Sequence, residues 1–310
     1  MLTIDERVTG GIWGLLVGDA LGVPYEFHEP HNLPRHSAIE MMPPLGFQRA
    51  HLRVPPGTWS DDGAHALVLL ASLLTCNQLD LDDFGQRMLE WYTNGYMAVD
   101  NDVFDVGIQT TQALRVLAEG NPAATAGPDH ERANGNGSLM RVLPLALWHQ
   151  GSDAELVQDA HTQSLVTHGH PRSQVCCALY CLWARWTLQG ATDPWAHAVQ
   201  QLRSIYSNSG PFYAELEQFV RPDIAPEGTG TGYVVDCLHS TRLALQAGTY
   251  EKVVKAAIAL GHDTDTTACV AGGIAGIRDG VNAIPARWRQ QLRGQELFEP
   301  LLQELLARHK

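Results

Sequence analysis

An all-α fold is what this sequence predicts, and three observations predict it. Almost every apolar segment repeats with the helical period rather than the alternation of a strand. The segments run eight to fifteen residues and are rich in Ala and Leu, with few Val/Ile/Thr alternations. Pro and Gly pairs separate them, at Pro43-Pro44, Pro55-Pro56-Gly57, Gly127-Pro128 and Gly210-Pro211.

In chain order, Ile12 to Leu21 reads as the first helix. Ala64 to Leu74 follows Ser60-Asp61-Asp62, residue types that favour a helix start. Phe84 to Trp91, Thr110 to Leu117 and Leu139 to Trp148 carry apolar residues three and four apart. Gln174 to Leu188 is the longest run, and Cys177 and Cys181 lie on it at i, i+4. Val234 to Ala247, Val253 to Leu260 and Ala268 to Ile277 complete the series. With shorter pieces the total is roughly a dozen helices. The longest irregular stretch, His28 to Thr58, is rich in Pro and His, and a loop of that length is usually functional or mobile.

The 310 residues suffice for one large domain or two small ones. No shift in composition, repeat or low-complexity tract marks a linker, so a single domain over 1–310 is expected. A formal net charge of -13 argues against binding to nucleic-acid backbones. No stretch of 18 apolar residues offers a membrane span. The N-terminus lacks the charged and apolar regions of a signal peptide, and the six cysteines show no disulfide-scaffold or Cys-x-x-Cys spacing. Buried free thiols in a cytoplasmic protein are the expectation.

Two acidic clusters about 200 residues apart carry the chemistry: Ser60-Asp61-Asp62 and Asp263-Thr264-Asp265-Thr266, each opening a helix. One Ser or Asp would cap each helix. Adjacent carboxylates repel unless a cation sits beside them. Asp263 and Asp265 can face one ion only in a turn or first helical turn, since residues two apart on a helix diverge by about 200°. Gly261 supplies such a turn. An all-oxygen donor set suits Mg²⁺ or Mn²⁺ rather than Zn²⁺.

Other motifs are weaker alone. Asn134-Gly135-Asn136-Gly137-Ser138 is either an ordinary loop with a Ser N-cap or a phosphate cradle before a helix, with Arg141 placed to add a charge. His168 and His170 flank Gly169 in a loop and suit hydrogen bonding or stacking better than metal ligation. Tyr233, after Gly228-Thr229-Gly230-Thr231-Gly232, either stacks on a ligand or anchors a helix.

Taken in order, the motifs resemble those of the ADP-ribosylglycohydrolase family. They are Gly14-x-x-x-Gly18-Asp19-Ala20-Leu21-Gly22 with Glu26; Trp59-Ser60-Asp61-Asp62; Asp105-Val106-Gly107 with Thr110-Thr111; Gly135 to Arg141; Thr167-His168; Gly232-Tyr233-Val234; and Gly261 to Thr266. Together they span roughly Val8 to Ile277. The resemblance implies a single multi-helix domain, its helices packed orthogonally around a central cleft holding two Mg²⁺ or Mn²⁺ ions. Ser60, Asp61, Asp62, Asp263, Asp265 and Thr266 would be the metal ligands. Glu26 and Asp105 would be the catalytic acids and bases. Asn136, Gly137, Ser138, His168 and Tyr233 would bind ADP-ribose.

The implied activity is metal-dependent hydrolysis that releases ADP-ribose from an ADP-ribosylated acceptor, with arginine leading. Serine, nucleobase and small-molecule linkages, or a non-catalytic ADP-ribose-binding relative, are the alternatives. The expected partner is an ADP-ribosylated protein or other ADP-ribosylated substrate met by a monomer. A metal-dependent phosphohydrolase would need histidines beside the aspartates, which this motif order does not supply. One departure stands out. The family often reads Thr-Asp-Asp-Thr where this chain has Ser60-Asp61-Asp62-Gly63, a change expected to bear on acceptor specificity.

Overall fold

A computed structural model describes residues 2–309, and fourteen α-helices account for most of them. They are α1 (Ile4–Gly22), α2 (Asp61–Cys76), α3 (Leu81–Asn94), α4 (Ile108–Ala118), α5 (Leu143–Trp148), α6 (Asp153–Ser164) and α7 (Pro171–Leu188). The second half holds α8 (Pro194–Ile205), α9 (Gly210–Glu215), α10 (Val234–Leu245), α11 (Tyr250–Ile258), α12 (Thr264–Asp279), α13 (Ala286–Gln291) and α14 (Gln295–Ala307). Among the described residues the one β-bridge pairs Gly135 with Tyr233. One contiguous apolar core draws on helices from α1 to α14.

The pair α1 and α12 forms the central axis. Gly10, Gly14, Gly18 and Gly22 are spaced by four, so they share one face of α1. Side chains there would collide with the backbone of Gly276, Gly272, Ala268 and Asp265 respectively. The two helices therefore meet backbone to backbone. Thr264 Oγ1 donates to Gly22 O at 2.9 Å, which helps fix the register, and Tyr250 Oη of α11 donates to Gly14 O at 2.8 Å. This contact sets the end of α1 against the start of α12, and the site lies there.

The stretch His28 to Thr58 carries only short 3₁₀ turns, yet it is tied down. Its Glu40 accepts from Lys255 Nζ at 3.0 Å, from Arg287 and from Trp288 Nε1. Burial alone would raise the Glu40 carboxyl, but these donors outweigh it and hold the group at about 2, against an ordinary 4.5. A carboxyl depressed by folding stabilises above its ordinary range and loses that contribution as pH falls through its folded value. Glu40→Gln is therefore expected to melt lower than the parent at pH 7, with the gap closing between about pH 4.5 and pH 2. Melting curves of both proteins across that range test it; a gap independent of pH would refute the anchor.

The expected helices form, with one shift. Leu139 to Trp148 is helical only from Leu143, because Pro144 sits in its first turn and cannot donate to an earlier carbonyl. All six cysteines are free, five of them buried. No helix among the described residues is long and apolar enough to cross a membrane.

Candidate active site

At the start of α2 the capping is done by residues other than the paired aspartates. Asp19 of α1, fully buried, accepts from Ser60 N at 2.9 Å and from Gly63 N at 2.7 Å. Ser60 Oγ accepts from Asp62 N at 3.3 Å. Asp61 and Asp62 are thereby free to face inward, and both line a cleft of about 370 Å³. Gly63 does not face it: a side chain there would strike Trp59 and Leu16. At Gly63 itself the departure from the family pattern is accommodated by core packing.

Asp263 stands at the N-cap of α12 but makes no capping bond; its Oδ2 accepts instead from Asn136 Nδ2 at 2.8 Å. The turn before it is made by Gly261 and His262, both at positive φ. Asp265 lies in the first helical turn, and its Oδ1 accepts from Thr266 N. Thr266 Oγ1 donates to Asp62 Oδ1 at 3.2 Å, so the two clusters meet. Asp62 Oδ2 and Asp265 Oδ2 are buried without any hydrogen-bond partner. Burial first, and then neighbouring carboxylates, raise Asp61, Asp62 and Asp265 well above the usual range.

Glu26 follows the end of α1 and is brought to the same place. Carboxylate oxygens of Glu26, Asp263 and Asp265 lie within 4.8 Å of one another. Burial, followed by Asp105, Asp263 and Asp61, raises Glu26 to about 11. Its Oε2 is bonded to His51 Nε2 at 2.6 Å. Asp105 enters from the loop before α4 at a left-handed φ of 57°, a conformation costly for a non-glycine residue. Burial and then Asp263 raise it to about 6.

Of the expected ADP-ribose residues, Asn136, Gly137 and His168 line the cleft. The loop that carries the first two is held by Asn136 N donating to Gly232 O and Val234 N donating to Asn134 O. Two others turn away. Ser138 is fully buried, its hydroxyl bonded to Ser164 Oγ at 2.9 Å rather than capping a helix. Tyr233 is directed at Arg172, whose Nη1 donates to its hydroxyl at 3.3 Å, and only Gly232 beside it reaches the cleft. Arg141, read as a possible phosphate contact, is wholly buried and hydrogen-bonded inside the protein. His170 caps α7 and does not line the cleft.

Two residues of the site went unread in the sequence. Asp19 sits in a quoted motif, but its role as a cap across helices needs tertiary contact. Gln109 lines the cleft; its Oε1 accepts from Gly135 N at 2.7 Å, and its Nε2 is buried without a partner. Nothing in the local pattern distinguishes it from a surface glutamine.

The arrangement suits hard divalent cations. The donors are oxygens, the carboxylates are too close to share a cavity comfortably, and two of their oxygens have no partner. Cations would satisfy all three conditions at once.

A sequence model described as ADP-ribosylglycohydrolase matches residues 1–310. The chain is 29% identical to the ADP-ribosylarginine hydrolase Tri1 of Pseudomonas putida, over 98% of this chain and 78% of the relative. It is 27% identical to the ADP-ribosyl-[dinitrogen reductase] glycohydrolase of Rhodospirillum rubrum, over 94% of this chain and 91% of the relative. A solved structure titled "ADP-ribosylglycohydrolase-related protein complex" superposes with a TM-score of 0.78 at 30% identity, covering 98% of both chains.

Proposed function

Because the chain belongs to the ADP-ribosylglycohydrolase family of hydrolases, we propose that it cleaves the N-glycosidic bond between ADP-ribose and an arginine side chain, using two Mg²⁺ or Mn²⁺ ions. The observation that carries the proposal is the meeting of the two acidic clusters through Thr266 and Asp62, with one orphan oxygen on each side. Arginine leads because relatives bearing that specificity in their names align over nearly the whole chain.

Ser60, Asp61, Asp62, Asp263, Asp265 and Thr266 would hold the cations, and Ser60 Oγ also accepts from Asp62 N at the helix start. Divalent cations bound there supply positive charge and Lewis acidity toward the ribose hydroxyls and a water. The transition state of glycoside hydrolysis resembles an oxocarbenium ion, so carboxylates beside the anomeric carbon are favourable. Glu26 and Asp105, with oxygens within 4.8 Å of each other, are the groups that move protons to the departing guanidine and from the attacking water. Asn136 fixes the orientation of Asp263. The loop Gly135 to Gly137 and His168 hold the ADP-ribosyl group.

Peptides ADP-ribosylated on Arg, Ser or Asp/Glu, and an ADP-ribosylated nucleobase, incubated with and without Mg²⁺, test the reading. Release of ADP-ribose from the arginine substrate, lost on chelation and restored by Mg²⁺ or Mn²⁺, is expected. Release from serine or nucleobase alone would reassign the acceptor. Binding of ADP-ribose with no release from any substrate would make the chain a non-catalytic relative.

A further inference from the structure

Arg141 poses a question that the hydrolytic reading leaves open. It is completely buried, and no carboxylate among the described residues lies within ion-pair distance. A buried guanidinium is costly unless its donors are satisfied. Its Nε donates to Gln163 Oε1 at 3.0 Å, its Nη2 to Gln163 O at 2.9 Å and its Nη1 to Thr167 Oγ1 at 2.6 Å.

The last bond has a consequence one residue on. A guanidinium only donates, so Thr167 Oγ1 must accept from it. The same oxygen lies 2.8 Å from His168 Nδ1. Thr167 is fully buried and its hydroxyl has no other acceptor among its hydrogen bonds. If Nδ1 carried a proton, the hydroxyl hydrogen would be stranded. If the hydroxyl donates to Nδ1, both the hydroxyl and Nδ1 are satisfied, and the ring proton is forced onto Nε2.

Nε2 is the atom on the cleft side. A side chain at Gly137 would come 3.2 Å from it, and one at Gly135 would come 3.4 Å from it. The absence of both side chains leaves room for the ring. At the same place the Gly135 N–H holds Gln109 Oε1, which leaves Gln109 Nε2 buried without a partner, a second N–H donor on a residue that lines the cleft.

We infer that Arg141 and Thr167 are positioning residues that lock His168 as its Nε2–H tautomer, so that His168 and Gln109 together offer neutral N–H donors to an oxygen acceptor of the ligand beside the Gly135–Gly137 loop. Burial and then the Arg141 charge push His168 down to about 3, so the ring is uncharged at neutral pH. The device gives the cleft fixed donors whose strength does not vary with pH. The relay itself is independent of the ADP-ribosyl reading; only the identity of the acceptor, an oxygen of the ADP-ribosyl group, rests on it.

The test is ¹⁵N NMR of the full chain labelled at its fourteen histidines, with His168 assigned by difference from His168→Gln. The Nε2–H pattern should persist between about pH 8 and pH 5. Thr167→Ser should keep that pattern. Thr167→Val should lose it, weaken ADP-ribose binding about tenfold, the worth of one neutral hydrogen bond, and raise KM more than it lowers kcat. An Nδ1–H or cationic His168 in the parent would overturn the inference, as would Thr167→Val with unchanged tautomer and affinity. If Thr167→Val fails to fold, the parent and Thr167→Ser spectra decide alone. An Nε2–H ring in a protein that does not bind ADP-ribose would uphold the relay and refute the ligand assignment.

Discussion

Asp265→Asn should give a protein that is more stable without metal and nearly inactive with it. Asp265 is fully buried, and burial, Glu26, Asp105 and Asp62 all work against its charge. Its Oδ1 serves Thr266 N, a bond that an asparagine oxygen keeps. Its Oδ2 has no partner, and an amide donor placed there would find carboxylate acceptors. In the absence of metal the substitution should therefore stabilise by about 1–2 kcal/mol, the usual gain from relieving one such conflict. The same change removes one charged ligand, so kcat should fall by about 10²–10³-fold, the scale of losing one preorganised electrostatic group. Metal titration monitored by melting temperature separates the two effects. The parent should gain about 3 kcal/mol at a metal concentration 100 times its Kd, and Asp265→Asn should gain far less at that concentration. Equal stabilisation of both by Mg²⁺, or full activity of the variant, would sink the metal assignment.

The same conflict explains which parts of the site could be read from the sequence. Asp61, Asp62, Asp263 and Asp265 stood out because their residue types exceed what capping requires. In the structure the caps are Asp19 and Ser60, and the N-cap residue Asp263 spends its carboxylate elsewhere. Residue type and spacing thus singled out carboxylates that the structure brings together in one cleft. They did not identify direction. Ser138, Tyr233 and Gly63 share motifs with cleft residues, yet Ser138 bonds Ser164, the exposed Tyr233 turns toward Arg172, and Gly63 abuts Trp59. Direction is fixed by contacts made across the chain, which no local pattern encodes. The helices follow the same rule. Long amphipathic runs were legible, whereas α6, with few apolar positions, was not among the segments read, and its Ser152-x-x-Glu155 capping box emerges only in the structure. Fixed loops were likewise illegible. The stretch around Thr229 and Thr231 reads as flexible, but Asp236 accepts four hydrogen bonds from those two residues.

Glu26→Gln should lower kcat by roughly 10²–10⁴-fold, the range for a positioned proton-transferring group, while leaving KM and metal affinity close to the parent's. Helix α1 sets the position of Glu26. Its glycine face brings Gly22 onto the backbone of Asp265, so the chain leaving the helix carries Glu26 over the acidic cluster. Phe27 then takes a left-handed φ of 63° and its N–H donates to His262 O at 2.7 Å, which pins Glu26 from the far side. A residue held that firmly is fixed in place for proton transfer, and in the cation-free protein its carboxyl is driven up first by burial and then by Asp105. Glutamine preserves the size and can still bond His51, but it cannot exchange that proton. A proton-moving Glu26 predicts a loss confined to kcat. If Glu26 chiefly holds cations, the loss should appear in metal affinity and be recovered at high Mg²⁺. Steady-state kinetics across a Mg²⁺ series distinguish the two outcomes, and activity restored by excess Mg²⁺ would move Glu26 from the proton path to the ligand set.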